Sequence, residues 1–127
     1  MDARVVIRRL GFRKWYEREL LRSHAHLVLL LLAALGLLGA FEALSFEHSL
    51  LEQVELVACV VVSAALGLWA MRRYLYLLNH AEYVADQAVC EACDSYAKWD
   101  LLPDQGADER QLRVRCRRCD RHWRIDL

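Results

Sequence analysis

The residues with the clearest chemical meaning in this 127-residue chain are four cysteines in two pairs, Cys90-Glu91-Ala92-Cys93 and Cys116-Arg117-Arg118-Cys119. Two intervening residues let one tight turn aim both sulfurs at a single ion, and two such turns complete a tetrahedron. A four-thiolate set closes the coordination sphere and leaves no position for water or substrate, which predicts a structural ion rather than a catalytic one. Zinc is the expected ion. A single iron in the same geometry would carry electrons instead, and a pair of disulfides is the remaining alternative.

The two cysteine segments repeat one another beyond the cysteines. Residues 90–101 align without gaps on residues 116–127, with Asp94/Asp120, Asp100/Asp126 and Leu101/Leu127 identical. Tyr96/His122 and Lys98/Arg124 match in kind. Two metal knuckles, each followed by a short strand, would produce this repeat. On these residues the last third of the chain resembles the zinc-ribbon class. The resemblance implies a small β structure clamped around zinc by Cys90, Cys93, Cys116 and Cys119. That class usually places glycine after the second cysteine of a knuckle, where the backbone turns left-handed. Here Asp94 and Asp120 stand there, and aspartate is among the few non-glycine residues that tolerate such a turn. A rubredoxin-like iron site would bring glycine- and proline-rich knuckles, which are missing.

The elements that must hold these cysteines are legible as alternation. Ala97, Trp99 and Leu101, then Leu112-Arg-Val-Arg-Cys116, then Trp123-Arg-Ile-Asp-Leu127 alternate as half-buried strands do. Between the first two, residues 103–109 are turn-rich. This predicts a three-stranded antiparallel sheet within a domain of residues 89–127. So short a domain buries little core, so metal is expected to supply most of its folding free energy. Trp99 and Trp123 are read as core rather than as base-stacking residues.

Upstream, hydrophobic residues make up 57% of the whole chain but concentrate between residues 25 and 78. Leu27–Phe41 is unbroken apolar sequence, and the span drawn over residues 24–44 reaches the roughly 20 residues needed to cross hydrocarbon. A second span of similar length covers residues 55–74. Gly36, Gly39 and Ala40 in the first, and Ser63 and Gly67 in the second, are small residues that let helices approach closely. Cys59 reads as a small apolar residue of the second span. Leu75, Leu78, Ala81 and Ala85 continue the helical pattern to about residue 88. The expected fold is therefore a membrane α-helical hairpin of two transmembrane helices, residues 24–88 with their cytoplasmic helical extension, followed by a small antiparallel β zinc ribbon.

Charge orients this arrangement. The formal net charge is zero, but residues 1–23 carry seven Lys/Arg interleaved with apolar residues such as Val6, Ile7, Phe12 and Trp15. That segment is expected to lie as a basic amphipathic helix at the headgroups of the membrane lipid. Arg72 and Arg73 flank the other span, with Trp69, Tyr74 and Tyr76 at the same interface. Residues 45–54 contain no Lys or Arg, and Glu42, Glu47, Glu52 and Glu55 lie in or beside them. The positive-inside rule then puts both termini in the cytoplasm and the short acidic loop outside, in a bacterial-type inner membrane. No cleavable signal peptide is evident. A cytoplasmic location also favours metal over disulfides at the paired thiols.

Residues 110–124 hold seven arginines and one acid, Asp120, whereas residues 91–109 hold six acids and one lysine. Arg113, Arg115, Arg117, Arg118 and Arg121 are accordingly candidates for binding a partner, or for offsetting the thiolates and the acidic half. His24 and His80 could approach one another in an antiparallel hairpin and ligate a haem, a reading set below ordinary interfacial histidines. No nucleophile elbow, phosphate loop, H-E-x-x-H or paired catalytic carboxylate is present, and no small-molecule substrate is indicated. These features point to a non-enzymatic accessory or adaptor subunit of a larger inner-membrane complex, partnered by an integral-membrane protein. The alternatives are a homo-oligomeric two-span pore with outward glutamates at its mouth, a rubredoxin-like electron carrier and a tethered nucleic-acid binder.

Overall fold

The computed structural model describes residues 3–43, 49–103 and 110–127. In chain order these form α1 (Ala3–Leu10), α2 (Phe12–Ala43), α3 (Leu50–Asp86), β1 (Trp99–Leu101), β2 (Gln111–Cys116) and β3 (His122–Asp126). Residues 45–48 of the acidic connection and 104–109 of the turn-rich loop lie outside the described residues, and α3 begins within the connection. The chain divides into two compact units, one made of the residues up to Leu20 with Leu78–Leu127, the other of Leu21–Leu77.

The second unit contains the apolar parts of α2 and α3, both long and apolar enough to cross a membrane. Large side chains such as Leu35 and Leu38 are 65% and 63% exposed, and what the helices bury against each other is small. A Cβ built on Gly36 would sit 3.2 Å from Ser63 Oγ, and one on Gly67 would lie 3.5 Å from Ala33 Cβ. Contacts that descend α2 as they ascend α3 make the pair antiparallel. Ala33, Ala40 and Ala70 are also buried. Backbones can approach this closely only where side chains are small. Gly39 has no neighbour within 4 Å of such a Cβ and lies outside this seam. His26 packs against Trp69 with ring centroids 5.4 Å apart and the rings tilted by 52°.

The first unit is organised around one apolar core. Val6 and Ile7 from α1, Phe12 and Trp15 from α2, Val84 from the end of α3 and Ala88 just after it, and Trp99, Leu112, Val114 and Ile125 from the sheet form a single cluster. Burying side chains of this size contributes about 1.5–3 kcal/mol each. The four sheet residues alone would make a meagre core, and the helices supply the rest. Val6, Ile7, Phe12 and Trp15, assigned from sequence to a membrane interface, are thus buried in the protein itself. An amphipathic pattern does not reveal whether its apolar stripe meets lipid or protein. The bend that permits this is at Gly11, whose φ of 86° is open to glycine and costly for other residues. Its N–H donates to Ile7 O at 2.9 Å, closing α1.

The end of α3 keeps most of its expected stripe. Ala81 is buried, Ala85 packs against the core and Leu78 is half-buried, whereas Leu75 is 46% exposed. Leu77 and Val84 widen the buried face toward the core that α3 meets.

The sheet has the order β1-β2-β3 with both pairs antiparallel. Register places Leu112 opposite Ile125 and Val114 opposite Trp123 on the buried face. β3 is an edge strand, and Gln87 covers part of that edge. Its Oε1 accepts from Asp126 N at 2.8 Å, its Nε2 donates to Asp126 O at 3.3 Å, and its own carbonyl accepts from Trp123 Nε1 at 2.9 Å. The side-chain amide pairs with both backbone groups of Asp126, as a neighbouring strand would.

Candidate metal centre

Two knuckles with the same backbone build the centre. In the first, Cys90 N donates to Ser95 O at 3.1 Å and Asp94 N to Cys90 O at 2.8 Å. In the second, Cys116 N donates to Arg121 O at 2.8 Å and Asp120 N to Cys116 O at 3.2 Å. Each turn needs a left-handed residue after its second cysteine, and Asp94 and Asp120 have φ of 52° and 59°. The gapless repeat in sequence is a repeat of geometry.

The turns bring the sulfurs together. Cys90 Sγ lies 3.4 Å from Cys119 Sγ, and Cys93 Sγ lies 3.6 Å from Cys116 Sγ. Both short contacts cross between the knuckles. All four sulfurs are within 4.8 Å of one another, and all are free thiols. A regular tetrahedron with metal–sulfur bonds of about 2.3 Å has edges of roughly 3.8 Å, so the cluster matches a four-thiolate ion site in size. Cys90 and Cys116 are wholly buried, while Cys93 is half-buried and Cys119 exposed.

The thiols affect one another electrically. The Ser95 hydroxyl, 3.2 Å from Cys93 Sγ, leads the hydrogen bonds that bring Cys93 down to about 6. The Arg121 backbone N–H favours the Cys119 thiolate, but the Cys90, Cys93 and Cys116 sulfurs and desolvation outweigh it and push Cys119 up to about 12. The same cluster thus draws Cys93 toward its thiolate and holds Cys119 as a thiol. A bound cation removes the conflict by replacing the protons. The donor set therefore fits a metal ion by number, distance and charge. Arg118 N–H also points at Cys116 Sγ, 3.4 Å away.

The five arginines nominated for partner binding divide. Arg117 binds Asp100 Oδ1 through Nη2 at 2.6 Å and holds that carboxyl below the usual range. Arg121 binds Glu91 at 3.0 Å, joining the two knuckles, and Arg115 lies 3.8 Å from Asp120. Arg113 and Arg118 have no acidic partner among the described residues. Arg113 instead stands directly opposite Arg124 across β2 and β3, on the face away from the core. Like charges in that position are destabilising. Sequence alone missed this opposition because it depends on register, and missed Gln87 because nothing marks one glutamine near a helix end as a strand mimic. Of the two histidines weighed for haem, His80 packs edge-on to Trp15 at 6.1 Å.

Compared with known protein families, with curated proteins and with solved structures, the chain matches none.

Proposed function

We propose that this chain is a two-span membrane protein whose cytoplasmic domain is folded around one structural zinc ion and docks as an adaptor on a larger inner-membrane complex. The convergence of four thiols into a closed site is the observation that carries the reading. A site with four protein ligands stabilises a fold and leaves no coordination position for chemistry. Only Gln87, Ala88 and Val89 separate the end of α3 from the first ligand, Cys90, which suits a domain tethered closely to the helix that precedes it.

The membrane assignment draws on the two long apolar helices and on their wide exposed apolar surface, which a soluble monomer seldom tolerates. The distribution of Lys and Arg around the spans supports a cytoplasmic location for both termini. Arg113 and Arg124 support docking on an acidic surface. Two facing cations cost stability in the free domain and gain it when an anionic partner sits across them.

Native mass spectrometry of the chain extracted from its own membrane in mild detergent tests this reading. One zinc per chain with a larger foreign subunit attached is the expected spectrum. A closed ring of identical chains would replace the adaptor by a pore, and iron in place of zinc would move the function to electron transfer.

A further inference from the structure

Beside the metal centre, and built without it, the first unit contains a cleft of about 970 Å³. This is near the upper end of small-molecule sites, which run from about 300 to 1,000 Å³. Its walls are two-natured. Leu10, Phe12, Tyr16 and Leu20 line one side and Tyr96 and Trp99 the other. Phe12 organises the aromatic part, with ring centroids 5.5 Å from Trp99, 6.2 Å from Tyr16 and 6.3 Å from Tyr96. The same lining carries four cations, Arg8, Arg13, Lys14 and Arg117, against two carboxylates, Glu17 and Asp100.

Both carboxylates are already engaged, Glu17 by Arg13 at 3.3 Å and Asp100 by Arg117. Lys14 has no acidic partner among the described residues. The lining therefore combines net positive charge with aromatic and aliphatic surface, and complements a ligand with an anionic head and an apolar body. Leu20, at one end of the lining, comes seven residues before the apolar run Leu27–Phe41.

We propose that this cleft binds an anionic phospholipid, with the phosphate held by Lys14 and Arg13 and the upper acyl chain lying against Phe12, Tyr16 and Leu20. The proposal rests on the membrane reading above. It gives the basic, aromatic N-terminal segment a role beyond filling the core. Its apolar side chains Val6, Ile7 and Trp15 pack inward, while its exposed cations recognise a headgroup and Phe12 and Tyr16 meet the acyl chain.

The test uses the whole chain, delipidated in mild detergent and read by native mass spectrometry. Phosphatidylglycerol and phosphatidylcholine with the same acyl chains are offered together, and glycerol 3-phosphate is offered separately as the head alone. Preferential retention of phosphatidylglycerol is expected. Its affinity should fall about fivefold in Lys14→Gln and about 30-fold in the Arg13→Gln/Lys14→Gln double variant, at roughly one kcal/mol per cation. Both side chains are exposed, so the core survives the substitutions. Equal retention of the two lipids would overturn the proposal. Retention of glycerol 3-phosphate as tightly as whole lipid, or of a co-purifying nucleotide or acidic peptide in the lipid's place, would also do so. Alkaline extraction of the membranes separates the two readings. A chain that washes off undoes the two-span assignment, whereas one that stays without headgroup preference undoes only the cleft.

Discussion

The two knuckles share a backbone and differ in what completes them. Around Cys90 and Cys93 the support is helical. The end of α3 leads in, a single bridge joins Val89 to Tyr96, Ala97 N–H donates to Ala88 O at 3.0 Å, and β1 has three residues. Around Cys116 and Cys119 the support is the β2–β3 hairpin, with strands of six and five residues. The first knuckle therefore depends on the helical core, and the second on strand pairing. What unites them is the sulfur cluster, in which Cys90 meets Cys119 and Cys93 meets Cys116 across the knuckles. The same twelve-residue pattern has been placed in two settings, and a metal ion is the natural element common to both.

The sharpest way to break this comparison is to deny the cluster its proposed ion. Chelation, or Cys93→Ala and Cys119→Ala taken separately, should cost the sheet its order. Structural zinc contributes on the order of 10 kcal/mol to such domains. Amide exchange should show both knuckles losing protection together in either variant, although one cysteine is half-buried and the other exposed. Acidification should act in the same direction, since thiolates regain protons as pH falls and affinity for the ion falls with it. Loss confined to the knuckle that was mutated would mean the two do not share an ion.

Gln87→Ala addresses the difference between the settings. Two hydrogen bonds to Asp126 are lost, at about 0.5–1.5 kcal/mol each, and β3 should fray while β1 holds. Faster exchange confined to residues near Asp126 is the expected signature. The shared left-handed turns come next. Asp94→Val and Asp120→Val should each destabilise the unit by about 1–2 kcal/mol, because a β-branched residue is poorly tolerated at positive φ. Thermal melting of the two variants should show similar losses. A loss at one site alone would make the repeat accidental. The smallest effect has the opposite sign. Arg124→Thr removes one of two facing cations and should raise stability by about 0.2–1 kcal/mol, while weakening attachment to an acidic partner. A pull-down beside a melting curve reads both.

These features were not equally legible in the sequence. Cysteine spacing, strand alternation and the aspartates at the turns are local signals, and local geometry decided them. Gly36, Ser63 and Gly67 were legible for the same reason, since a helix face can be read from a four-residue spacing. Gly39 shares that composition but lies off the contact line. The segment that holds Val6, Ile7, Phe12 and Trp15 was misread because its destination is tertiary. A stripe of apolar residues beside arginines suits a lipid surface and a protein core equally, and only the neighbouring sheet decides. The arginines behave alike. Arg117 and Arg121 are absorbed by Asp100 and Glu91, whereas Arg113 meets Arg124 through a register that composition does not encode.

The central claim is that one ion held by four cysteines folds the last part of this chain. Elemental analysis of the purified protein, with amide exchange before and after chelation, tests it most directly. One zinc per chain, with protection of β2 and β3 lost together on chelation, is the predicted result. A metal-free protein whose sheet keeps its protection, or four cysteines recovered as two disulfides, would contradict the account.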